Sequence, residues 1–111
     1  KLMTEELQIL SFTMILHSGN ARSAAMESIQ AAKKGDLSLA QTKLEEANQE
    51  SLQAHRAQTT LLQDEAKGLE TPLSILLIHA QDHLMTAMTV RDLAVEMVEL
   101  YTRLTRLEEK S

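Results

Sequence analysis

Hydrophobic and polar positions follow a helical period along this chain, and the period is broken twice. Leu37, Ala40, Leu44, Ala47, Ser51, Ala54, Gln58 and Leu61 recur at alternating spacings of three and four, which lays one stripe along a helix. A later stretch gives Leu76, His79, His83, Thr86, Val90, Leu93, Met97, Leu100, Leu104 and Leu107 on the same rule. The first stretch carries Leu7, Leu10, Met14 and His17, with Ile9, Phe12, Ile15 and Leu16 on other faces. Gly19 interrupts it, at a cost of about 1 kcal/mol relative to Ala. Either a kink or close backbone approach near "HSGNARS" accounts for that glycine, or it is a tolerated defect.

The breaks carry recognisable end signals. In "KKGD", residues 33–36, two lysines favour the end of a helix dipole, Gly35 can adopt the left-handed cap, and Asp36 is placed to cap the next helix. "KGLETP", residues 67–72, repeats the signal, with Gly68 closing a helix, Thr71 capping the next and Pro72 at its first position. The pattern predicts helices over about 4–34, 36–67 and 71–109, each spanning roughly 45 Å. Rods of similar length joined by tight turns pack as antiparallel neighbours. The predicted fold is all-α, an antiparallel three-helix bundle forming one domain over residues 1–111.

The third helix is more apolar than a lone bundle requires. Beside its main stripe run Ile78, Asp82, Met85 and Thr89, and Leu77, Leu84, Met88, Val95 and Val98 cover another side. Surplus apolar surface marks an assembly interface, and closed symmetry is the default for copies of one chain. Asp82 then lies on an interface stripe, where a desolvated carboxylate needs a partner. Near a symmetry axis it would meet its own copies, which repel unless a cation or shared protons neutralise them. Oxygen-only ligands favour a hard ion such as Mg²⁺. The plainer alternative puts Asp82 at the edge of the stripe, reaching solvent or Arg91.

Composition narrows the partners. The chain has 111 residues, 43% of them hydrophobic, and a formal net charge of −5, with one Phe, one Tyr and no Trp. An acidic balance without base-stacking aromatics argues against nucleic acid. No cysteine is present, so disulfide and thiolate chemistry are excluded. No apolar run approaches the ~20 residues that span a bilayer. The chain opens on Lys1 rather than Met, which leaves room for residues ahead of it.

Candidate chemistry centres on "IHAQDHLMTA", residues 78–87, because His79 and His83 are four apart and share a helix face. A His pair at this spacing can bind zinc, but the H-E-x-x-H pattern needs Glu where Ala80 stands, and a third ligand must come from His17, His55 or a carboxylate. Structural histidines satisfied inside a bundle are the second reading, and a helical oligomeric scaffold would follow from it. The third is nucleophilic. A neutral imidazole attacks phosphorus near pH 7 and can hold the phosphoryl group as an N–P bond. Spacing alone does not choose between His79 and His83.

The string "HAQDHLMTA" (79–87) resembles the signature of the lactose/cellobiose/chitobiose-type IIA proteins of the bacterial sugar phosphotransferase system. "SGNARS" (18–23), "AAKKGD" (31–36), "AHRAQT" (54–59) and "MVELY" (97–101) agree with that family in order and spacing, so the resemblance covers essentially the whole chain. It implies a cytoplasmic homotrimer of three-helix protomers, nine helices in all. It implies that His79 accepts a phosphoryl group from HPr on Nε2 and passes it to a IIB component during import of a β-linked disaccharide: cellobiose, diacetylchitobiose or lactose. Ala80 in "HAQDH" looks nearer the cellobiose/chitobiose branch. It further implies that Asp82 from three chains meets one structural Mg²⁺ on the trimer axis, with no organic cofactor. His83 and Gln81 are the expected support for His79. His17 and His55 are expected to have no catalytic role, His55 lining the groove beside His79 on the neighbouring helix.

Overall fold

The computed structural model describes residues 4–111, which form α1 (Glu5–Lys33), α2 (Leu37–Ala66) and α3 (Ile75–Lys110), with no strand among them. Each helix begins on a side-chain cap. The Thr4 and Ser74 hydroxyls and the Asp36 carboxylate accept from the backbone N–H groups of Leu7, Leu77 and Leu39, all at 3.1 Å. These caps satisfy donors that a helix start leaves without intrahelical partners.

Gly35 and Gly68 close α1 and α2 as the sequence pattern predicts, both at φ 83°. Around Gly35, the N–H of Asp36 donates to Ala31 O (2.9 Å) and that of Gly35 to Ala32 O (3.0 Å). Around Gly68, Leu69 donates to Asp64 O (3.0 Å) and Gly68 to Glu65 O (2.9 Å). This paired arrangement uses up the last carbonyls of each helix and requires a left-handed residue, which glycine supplies without strain. Asp36 serves both sides of its turn, closing α1 through its backbone and opening α2 through its carboxylate.

The start of α3 differs from the sequence expectation. Thr71 does not cap it and Pro72 is not its first residue; residues 69–74 are irregular and Ser74 is the cap. The two hydroxyl residues compete for one role. Ser74, with extended backbone at φ −149° and ψ 162°, wins by bonding Leu77 N–H, and the residues before it carry the chain across the end of the bundle.

Buried positions trace one seam per helix at alternating spacings of three and four. They are Leu7, Ser11, Met14, Ser18, Ala21, Ala25, Ser28 and Ala32 on α1; Ala40, Leu44, Ala47, Ser51, Ala54 and Leu61 on α2; and Leu77, Ala80, Leu84, Ala87, Ala94 and Val98 on α3, with Ala24, Ala31 and Ala57 buried beside the first two seams. A sustained spacing of 3.5 is the coiled-coil pattern. Alanine and serine dominate the seams, so the helices lie close and the body is slender, 64 × 20 × 18 Å. One cluster joins Ala24–Ala32 of α1 to Ala40–Ala47 and to Ala94 and Val98; the other joins Leu7 and Met14 to Ala54–Leu61 and to Leu77–Leu84. α1 packs along both partners, while α2 and α3 meet over less of their length.

The α2 stripe read from the sequence is the buried one, apart from Leu37 and Gln58, which are half-buried. On α3 the assignment is off by one residue. The stripe through His79, His83, Thr86 and Leu93 faces outward, and the seam lies one position further along. Both rows have the right spacing, so periodicity does not separate them. Size does: only the row with Ala80, Ala87 and Ala94 lets α3 approach α1.

Polar pairs pin the helices from outside. His17 on α1 meets Glu50 on α2 at 2.5 Å (Nδ1 to Oε2), and the Gln58 amide donates to Gln81 Oε1 across α2 and α3 at 2.7 Å. Lys43 contacts Glu27 at 2.8 Å and Glu46 at 3.2 Å, and hydrogen bonds from its ammonium to these two carboxylates hold its pKa above the usual lysine value. Gly19 lies inside an unbroken helix with nothing within 4 Å of where a Cβ would point, so no close approach within the protomer explains it. No helix among the described residues is long and apolar enough to cross a membrane.

Candidate functional site

Residues 79, 82, 83 and 86 fall on one face of α3 because they are three or four apart. Ala80 and Leu84, fully buried behind them, fix that face outward. The result is a shallow groove of about 200 Å³ lined by His79, Asp82, His83 and Thr86 from α3 and by Arg22 from α1. His79 and Asp82 are exposed; His83 is half-buried. The two imidazoles stand perpendicular, at 88°, with centroids 4.5 Å apart, so the edge of one ring meets the face of the other. His83 thereby limits the orientations open to His79, whose ring remains accessible.

Asp82 sits on the exposed α3 stripe between Ile78 and Met85, which are 52% and 53% exposed. Among the described residues no hydrogen bond or ion pair engages it. Arg91, the partner considered from the sequence, is tied instead to its neighbour Asp92 at 2.8 Å. Nine residues along a helix place Arg91 on the opposite side from Asp82, which rules out that contact.

Gln81 turns away from the histidines. It accepts from Gln58 and lines a larger hollow of about 750 Å³ with Leu61, Leu69, Pro72 and Leu77. His55 is exposed on α2 and does not line the groove, and His17 is held by Glu50. Arg22 went unnoticed as a site residue in the sequence. It lies in the "SGNARS" string, but only the rotation of α1 against α3 brings it to His79.

Metal binding within one protomer lacks ligands. No cluster of three or more His, Asp or Glu side chains among the described residues could hold an ion. The zinc reading of His79 and His83 therefore has no third ligand. Asp82 offers a single free carboxylate, which suits a hard cation only if other copies supply the remaining oxygens.

An accessible, sterically oriented imidazole beside an arginine is equipped for covalent phosphoryl chemistry, and known proteins bear on that directly. The family model described as "PTS system, Lactose/Cellobiose specific IIA subunit" matches residues 9–102. The chain belongs to this family. Among its relatives, the lichenan-specific phosphotransferase enzyme IIA component of Bacillus subtilis is 52% identical over 103 residues, which are 93% of this chain and 94% of the relative. The lactose-specific EIIA component of Staphylococcus epidermidis is 43% identical, over 89% and 95% of the two chains. Among solved structures, the cellobiose-specific enzyme IIA of Bacillus anthracis superposes with a TM-score of 0.87 at 50% identity, covering 93% of this chain and 94% of that one. The IIA(chitobiose)–HPr complex of Escherichia coli gives a TM-score of 0.76 at 37% identity, covering 91% and 98%. This chain is thus a IIA component of the phosphotransferase system with the three-helix fold of its relatives.

Proposed function

We propose that this IIA component is a phosphoryl carrier whose covalent intermediate is His79. Phospho-HPr donates the group to Nε2 of His79, and a cognate IIB component takes it on during uptake of a β-linked disaccharide. The observation that carries the reading is the exposure of His79 in the second turn of α3, with the His83 ring set against it. A relative captured with HPr supports the donor. The scaffold alternative needs histidines built into the core, and His79 belongs to neither core cluster.

The chemistry asks little of the protein beyond placement. Phosphoryl transfer through a loose transition state depends on holding donor, phosphorus and acceptor in line and on stabilising the equatorial oxygens. The lone pair on Nε2 forms the new N–P bond as the donor's P–N bond breaks. The electron pair of that bond returns to the donor ring, and each imidazole keeps its other N–H. His83 orients the ring that attacks. Among the sugars, 50% and 52% identity to cellobiose- and lichenan-specific relatives, against 43% to a lactose-specific one, favours a cellobiose-type substrate.

The proposed assembly is a cytoplasmic homotrimer of antiparallel three-helix protomers. Ile78, Met85, Leu93, Met97, Leu100 and Leu104 leave an apolar stripe exposed along α3, and an interface between copies would cover it. Asp82, unpaired within that stripe, would meet its copies on the axis and share one Mg²⁺, which would neutralise their repulsion.

The test is phosphorylation by phosphoenolpyruvate, enzyme I and HPr. His79→Ala should accept no phosphate while keeping the helical signal and melting temperature of the wild type. A variant that still gains phosphate shows that another residue carries it.

A further inference from the structure

The groove beside His79 contains a cation that the carrier reading has not yet used. Arg22 of α1 is the only basic side chain among its arginine- and histidine-containing lining with a permanent charge, and it is exposed. No hydrogen bond or ion pair engages Arg22 among the described residues. Arg91 and Lys43, by contrast, are tied to carboxylates at 2.8 Å. We infer that Arg22 receives the equatorial oxygens of the phosphoryl group as it passes to His79, and holds them in the phosphorylated state.

The inference rests on the carrier reading of the groove and adds the group that makes transfer electrostatically feasible. A phosphoryl group brings close to two negative charges into this groove, on a chain of net charge −5. Without a cation, each step of approach is opposed. A guanidinium stays charged at any working pH and presents a planar fork of donors that matches phosphoryl oxygens two at a time. Arg22 donates hydrogen bonds only. The bond changes are those of the transfer itself, with no proton moved and no further reactant required. Arg22 reaches the groove from α1, across from His79 on α3.

The experiment is rapid-quench measurement of phosphoryl transfer from phospho-HPr to the full chain. Arg22→Gln is expected to slow transfer about 10²-fold while assembly mass and melting temperature stay at wild-type values. Arg22→Lys, which keeps the charge but loses the fork, should recover part of the rate. Guanidinium ion at non-denaturing concentration should restore part of it to Arg22→Gln with saturation, a response that a purely structural role would not give. A wild-type rate in Arg22→Gln overturns the inference, as does a slow variant that neither the lysine nor guanidinium improves. Should Arg22→Gln fail to fold, Arg22→Lys decides alone: a rate reduced about tenfold or more supports the inference and an unchanged rate overturns it. If wild type accepts phosphate and His79→Ala does not, the carrier reading stands whatever Arg22 does. If wild type itself accepts none, both fall.

Discussion

The four imidazoles of this chain differ in what surrounds them, and that difference sets their chemistry. His17 is held by Glu50, His55 stands alone on α2, and only His79 and His83 share a groove with a free arginine. Replacing the exposed His79 should leave stability within about 0.5 kcal/mol, as for most surface substitutions. If His83 orients the His79 ring without bonding to phosphorus, His83→Ala should slow transfer from HPr without ending it, by quench-flow rates against an unchanged final extent. A complete loss of phosphate uptake would make His83 the carrier or essential to it. The histidine pair and Asp82 were legible in the sequence because their relation is local: four residues along a helix fix a shared face. Arg22 was not, since it lies 57 positions before His79 and joins it only through the packing of α1 on α3. Gln81 was misleading for the opposite reason, because being two residues from His79 on a helix turns its side chain toward α2.

At the scale of elements, glycine gives two opposed predictions. Gly35 is at φ 83°, where a Cβ meets its own backbone, so Gly35→Ala should destabilise by about 1–2 kcal/mol. Gly19 is inside α1 with open space around its missing Cβ, so Gly19→Ala should stabilise by up to about 1 kcal/mol. Thermal or urea unfolding at one fixed protein concentration checks both. Loss of stability in Gly19→Ala would show that something packs against this position in the assembled protein. The helix breaks were readable because glycine, lysine and aspartate leave local signatures. The rotation of α3 was not, because rows 76-79-83 and 77-80-84 are equally periodic. Ala80, Ala87 and Ala94 mark the buried row once close helix approach is recognised as the requirement, which periodicity alone does not express. The late start at Ser74 escaped notice for a similar reason: Thr71 and Ser74 offer the same capping chemistry three residues apart.

For the whole molecule, the slender body leaves more apolar surface outside than its own seams bury comfortably. Phe12 and Leu16 on α1 are 58% and 59% exposed, and the α3 stripe continues to Leu107 at 65%. Surface of this kind is expected to be covered by further copies. If Asp82 meets its copies on an axis with Mg²⁺, Asp82→Asn should abolish the effect of chelator or added Mg²⁺ on oligomer mass and melting temperature. Native mass spectrometry with and without EDTA reads this. An Asp82→Asn protein with the same metal content and the same response as wild type would remove Asp82 from the axis. Intact-mass spectrometry at neutral pH, after mixing the chain with phosphoenolpyruvate, enzyme I and HPr, reads whether His79 carries phosphate. A gain of one phosphoryl group per chain, lost on brief acid treatment and absent from His79→Ala, is expected. No gain beside an HPr control that is itself phosphorylated, or an equal gain in His79→Ala, would contradict it.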